Sequence, residues 1–432
     1  MKKNLKSILP PLISLITVTL STGFFTTYTS LKLSIDGYPN WIVGCVNASY
    51  YIGMMLGPIF LEKVINRIGH IRTFATFASL NSISVVLQSL VPGFVFWSIF
   101  RFTAGLCTSG FYIVIESWLL LSYGIKSRGR VLGVYMVCLY LAQGFGQFLL
   151  NISPLNTLFP FSWAVLLSCL SLLPVCMMRS SGPILEEEPS ITNIIHIFKK
   201  IPVGLLGCFT TGIILSSFYS LVPIFGKAVQ MSTFQISQVM GFTILGGLLL
   251  QWPIGHLSDI FNRKIILFIV TFLLLLVTLV LYKSTHFNYY TILILMIVFG
   301  GISFTTYPLS IALTCDYFSS KNVIGVTASL LIMYGIGCIL GPLLSPIFMS
   351  KFGPSGLFLF LSFISLAFLI ICTIRTSQKP YPRDYENQSE YISLPHSSLL
   401  SFYIDSKKDD NEELFEDEDE LYPVPEEYED EE

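Results

Sequence analysis

Arg101, Gly105, Thr108, Tyr112 and Glu116 recur at intervals of four, three, four and four within one apolar run. That spacing puts them on one face of a 3.6-residue helix. A charge inside such a run costs at least about 2.5–3.5 kcal/mol on insertion scales, so the face is expected to look into a cavity rather than into lipid. A buried guanidinium keeps its charge and can hold an anionic group or set the proton affinity of a carboxylate, and a carboxyl can carry a proton. Arg101 and Glu116 cannot pair directly, because the stretch between them spans about 22 Å of helix. The plainer alternatives stay open. Arg101 could tie its helix to backbone carbonyls or to a neighbouring helix. Glu116 could cap its helix or latch onto Arg128 or Arg130.

Other polar groups stand inside apolar runs. Gln147 shares a helix face with Tyr140, Gly144 and Asn151, and Gln143 lies close by. These amides can bond a solute or bond another helix. Hydroxylated clusters occur at Thr26, Thr27 and Tyr28, and again at Ser216, Ser217, Tyr219 and Ser220, where packing is an equal explanation. Nothing suggests bond-breaking chemistry, and no catalytic residue is expected. Gly226-Lys227 is followed by Ala228, so the nucleotide-binding Gly-Lys-Ser/Thr is missing; HExxH and G-x-S-x-G are also absent. The nine cysteines are odd in number, form no CxxC pair and sit in apolar runs, as small packing residues do. No metal or cofactor is expected. Any work must draw on an ion or solute gradient.

The elements that position these residues follow from composition. The chain of 432 residues is 53% hydrophobic and only 12% charged, with a mean hydropathy of +0.69. Soluble domains carry about 25% charged residues. Of 27 acidic residues, 19 fall in 377–432. The body is basic and the end acidic, which excludes a soluble enzyme. A nucleic-acid partner is excluded as well, because the basic residues are scattered singly between apolar runs. A spanning helix needs about 20 apolar residues, and twelve runs qualify: 8–31, 40–61, 73–91, 94–121, 131–153, 161–178, 201–226, 236–257, 265–282, 289–315, 322–349 and 354–374. Fifteen loop Lys and Arg residues fall on the side of the N-terminus and four on the other, which places both termini in the cytoplasm. The expected organisation is a six-helix bundle over 1–178, a cytoplasmic linker over 179–200 and a second bundle over 201–376. A disordered acidic tail over 377–432 follows, lacking the apolar residues to bury a core. The apolar stretch 191–201 reads as a short interfacial helix or as a lead-in to the seventh span.

The two halves echo each other. Arg130-Val-Leu-Gly-Val134 returns as Asn322-Val-Ile-Gly-Val326, Gly105 and Tyr112 return as Gly300 and Tyr307, and the loop 66–72 returns at 259–264. The three offsets lie between 192 and 195, as a duplicated six-helix unit requires. The second loop reads Gly255-His-Leu257-Ser-Asp259-Ile-Phe-Asn262-Arg263-Lys264. It resembles the major facilitator signature G-x-L-x-D-R-x-G-R-K, with Ile260 and Asn262 in place of Arg and Gly. The first copy keeps Arg67 and Gly69 but has Asn66 for the acid and Glu62 for the first glycine. Arg101-Phe-Thr-Ala-Gly105 is similar to the family's R-x-x-x-G motif, and Gly144-Phe-Gly146 and Gly335-Ile-Gly337 to its glycine-rich helices. Phe111–Leu119, Arg128-Gly-Arg130, Tyr140–Gln147 and Tyr307-Pro-Leu-Ser resemble the YcaD-type branch.

The resemblance implies an all-α membrane protein of twelve transmembrane helices in two pseudo-symmetric bundles. It implies a monomeric secondary transporter of the bacterial inner membrane that moves a small polar or amphipathic solute by alternating access, coupled to protons. Its substrate and proton pathway would use Arg101, Thr108, Tyr112, Glu116, Gln143, Gln147, Tyr28, Tyr219 and Tyr307. Asp259, Arg263, Lys264, Arg128 and Arg130 would form a cytoplasmic gate. A non-transporting receptor or assembly protein on the same fold is the competing reading; an intramembrane enzyme is disfavoured by the missing motifs.

Overall fold

A computed structural model describes residues 2–121, 125–177, 194–318 and 323–378. All but the first two residues of the expected tail, most of the expected linker and the Arg128 side chain lie outside the described residues. Fourteen α-helices are described: α1 (Lys2–Ile35), α2 (Asn40–Ile68), α3 (His70–Leu90), α4 (Phe94–Leu121), α5 (Ile125–Gly146), α6 (Phe159–Leu170), α7 (Leu172–Cys176), α8 (Ile194–Lys200), α9 (Pro202–Ala228), α10 (Thr233–Ile260), α11 (Arg263–Tyr282), α12 (Tyr289–Cys315), α13 (Val323–Phe352) and α14 (Gly356–Gln378). Eleven helical stretches among the described residues are long and apolar enough to cross a membrane, with α6 and α7 together forming one of them. The 29-residue α2, packed along α4, is the twelfth long helix of the bundle. Leu249, Tyr290, Ile294 and Phe363 point outward and are exposed, an apolar perimeter that suits lipid and not water. The twelve long helices among the described residues return the chain to the face it starts from, called here the near face; the opposite one is the far face.

Local sequence explains where the helices start and break. Ser232 and Gln235 form a reciprocal capping box at the head of α10. Asn262 caps α11 by accepting from the Lys264 N–H at 2.9 Å, and Asn288 caps α12 through the Thr291 N–H at 2.9 Å. The sixth span breaks at Ser171, between α6 and α7. Pro174 lacks the N–H that would bond the Leu170 carbonyl, so the ladder cannot run through. The fifth span, read from sequence as one run to 153, tightens after Gly146 into a 3-10 turn over Gln147–Asn151. Of the two readings of 191–201, a short helix or a lead-in to the seventh span, a short helix is present, α8.

The duplication is visible in the packing. A Cβ on Gly105 would collide with the Tyr50 carbonyl oxygen, and one on Gly300 with that of Thr243. α4 therefore crosses α2 as α12 crosses α10, backbone against backbone. Within the second half α9 packs on α13, and across the halves α2 meets α13, α5 meets α10 and α1 meets α9. Several ties close the far face. The Lys227 Nζ donates to the Ser34 carbonyl at 2.6 Å, Asn151 Nδ2 donates to Ser237 Oγ at 2.8 Å, and the backbones of α2 and α13 touch at Gly44 and Pro342.

Candidate functional site

Midway along the helices, between the two halves, lies a cavity of about 100 Å³. α1, α2, α4 and α5 supply one wall and α9, α12 and α13 the other. Six tyrosines line it: Tyr50, Tyr51, Tyr112, Tyr140, Tyr219 and Tyr334. Phe304 joins them, its ring 5.6 Å from that of Tyr140 and 6.2 Å from that of Tyr219. Thr22, Thr26, Gln143 and Ser216 supply the polar edges. Among the described residues, no carboxylate, amine or guanidinium belongs to the lining.

Arg101 stands one layer behind this wall and is only 2% exposed. Its guanidinium carbon lies 4.3 Å from the centre of the Tyr50 ring, and Nη2 donates to Thr26 Oγ1 at 3.3 Å. Thr26 donates its own hydroxyl proton to the Thr22 carbonyl at 2.8 Å. The arginine thus touches the cavity through two of its lining residues. It opens onto a side pocket of about 10 Å³ shared with Thr22, Tyr50 and Thr108, room for about one water. Its Nε has no hydrogen-bond partner among the described residues.

The other expected site residues divide. Tyr112, Gln143 and Tyr219 line the cavity, and Thr108 lines the side pocket. Gln147 does not reach the cavity. Its Oε1 accepts from Thr27 at 2.7 Å and its Nε2 donates to the Gly23 carbonyl at 3.2 Å, so it ties the 3-10 turn after α5 to α1. Tyr28 also points away, its hydroxyl on the Leu155 carbonyl at 3.2 Å and its ring 5.2 Å from that of Phe161. Tyr307 is buried and packs behind the cavity, its ring 4.8 Å from that of Tyr334. Glu116 is buried outside the lining. Sequence reasoning missed Tyr50, Tyr51 and Tyr334 as lining residues; tyrosines on α2 and α13 carry no spacing that separates lining from packing.

At the near face Arg263 is fully buried between two carboxylates. Its Nη2 meets Asp259 Oδ1 at 2.9 Å and its Nη1 meets Asp316 Oδ1 at 2.7 Å. The expected gate residues Asp259 and Arg263 are therefore joined, with Asp316 as a third member that chain spacing does not show. Lys264 holds its ammonium 5.4 Å from the centre of the Tyr317 ring, while Arg130 is exposed. A second opening of about 260 Å³ lies between α5 and α10. It includes Asp259 and His256 and shares Met136 with the central cavity.

The profile of the Major Facilitator Superfamily matches residues 8–282 and 204–406, and the chain belongs to that family. Within it, the chain is similar to an uncharacterized MFS-type transporter YcaD of Salmonella arizonae, 28% identical over 86% of this chain and 96% of that relative. A YcaD of Escherichia coli is 28% identical over 85% of this chain and 95% of the relative. Among solved structures, the nucleoside transporter NupG superposes with a TM-score of 0.72 at 14% identity, covering 88% of this chain and 100% of that one. A D-xylose-proton symporter gives 0.66 at 14% identity, covering 85% and 96%. At such identities these two show the fold alone.

Proposed function

We propose that the chain is a proton-coupled secondary transporter of a small amphipathic solute in a bacterial inner membrane, working by alternating access with both termini cytoplasmic. Its moving parts are the bundles over 1–178 and 201–376. The observation that carries this reading is the cavity between the halves, closed toward the far face by the Lys227, Asn151 and Gly44 contacts. On the orientation read from loop charge the near face is cytoplasmic, and the arrangement is an inward-facing state. The α5–α10 opening is then the cytoplasmic approach, with the Asp259–Arg263–Asp316 cluster holding its rim.

Uptake or efflux in proteoliposomes, with and without a pH gradient, tests the reading; transport indifferent to the gradient would remove proton coupling. Arg101→Lys sharpens it. Lysine lacks the planar fork that stacks on Tyr50 while donating to Thr26. Transport per folded molecule is expected to fall about tenfold, the equivalent of about 1.4 kcal/mol. A rate and pH profile equal to wild type would leave Arg101 as a structural tie.

A further inference from the structure

The lining of the central cavity says which solutes it suits, and this step rests on the reading of that cavity as the transport site. Six tyrosine rings and Phe304 offer flat apolar faces, while Gln143, Thr26 and Ser216 offer neutral hydrogen-bonding groups. No charged side chain among the described residues lines the cavity to replace the water that an ion would shed. Arg101 adds a sign to this neutrality. Its buried guanidinium lies 4.3 Å behind the Tyr50 ring, and its Nε is without a partner among the described residues.

That placement acts against cations, and the uncharged lining acts against anions. A cation stacked on the open side of Tyr50 would meet a buried positive charge through the ring. An anion would be attracted by the same charge, but it would meet the electron-rich ring face and would shed its water against a lining with no charged donor, because Arg101 is not in that lining. We infer that the cavity selects uncharged, planar aromatic solutes bearing neutral hydrogen-bonding groups, with Arg101 behind Tyr50 as the element that rejects cations.

Benzamide, benzamidinium and benzoate are near-isosteric and differ in charge, which makes them suitable probes. Their binding to the purified full-length protein in lipid nanodiscs is measured by ligand-observed NMR titration. Benzamide is expected to bind tightest. Benzamidinium should bind about thirtyfold more weakly, the effect of one unit charge at about 8 Å through an effective dielectric of about 20. Arg101→Gln should close most of that gap. Equal or tighter binding of either ion, no binding of benzamide, or a gap unchanged in folded Arg101→Gln would overturn the inference. The wild-type order decides the matter even if that variant does not fold. Leu139→Trp, which fills the cavity, separates the two levels. Binding that survives it shows that the cavity is not the solute site, and the functional reading fails. Binding that is lost with it, yet follows the wrong charge order in the wild type, sinks the selectivity alone.

Discussion

In the C-terminal half the loop between α10 and α11 is held by Arg263, buried between Asp259 and Asp316. An offset of 193 residues places His70 at the matching position of the N-terminal half. His70 is also buried, but its Nε2 shares a hydrogen bond with Ser117 Oγ at 2.9 Å and its ring meets Trp118 edge-on at 6.0 Å. Asn66, where Asp259 would repeat, is exposed, as is Arg67. One corner is locked by charge and the other by a neutral hydrogen bond and ring packing. Duplication has kept the backbone path while the chemistry at the corner diverged. The charged corner is also the one that borders the opening between α5 and α10.

The largest expected effect separates the corners directly. Arg263→Ala takes the ion pair from Asp316, whose side chain is 6% exposed; breaking such a buried pair costs about 3–5 kcal/mol. His70→Ala removes one neutral hydrogen bond and an edge contact, a loss of about 1–2 kcal/mol. Thermal and denaturant unfolding in detergent compares the two, and equal losses would break the contrast.

The next effect tests what the halves share. Gly105→Ala and Gly300→Ala each push a methyl into a backbone carbonyl oxygen of the neighbouring helix. Overpacking of this kind costs about 1–3 kcal/mol. The two variants should lose similar stability in the same unfolding measurement, both inside that range. A loss confined to one would mean that the repeated crossing is not equally tight in both halves.

Much of this frame is legible in the residues because lipid imposes a simple rule. Long apolar runs have to be spanning helices, and the constant offset that relates Gly105 to Gly300 marks the duplicated unit. The Asp259–Arg263 pair is legible because its members are four residues apart on the chain. Asp316 is not, since it lies 53 residues from Arg263 and meets it only through the fold. The cavity is hidden for a similar reason. Gln147 and Tyr28 look like site residues by type, but their hydrogen bonds are used between helices and loops of the first half. Tyr50 and Tyr334 become lining only when α2 meets α13 across the halves.

The smallest effect asks whether the acid alone distinguishes the corners. Asn66→Asp restores the carboxylate four residues before His70, as Asp259 precedes Arg263. The new charge would sit in the last turn of α2, where the helix dipole disfavours it, and just before α3, where the dipole favours it. These terms oppose each other. Its nearest basic neighbour in sequence, Arg67, is exposed, and exposed pairs contribute about 0–1 kcal/mol. No buried guanidinium waits at position 70 to be neutralised. Stability is therefore expected to change by less than about 0.5 kcal/mol, within the range of ordinary surface substitutions. A gain approaching the loss seen in Arg263→Ala would show that the first corner is built to take a charge lock, and that its neutral chemistry is not what holds it.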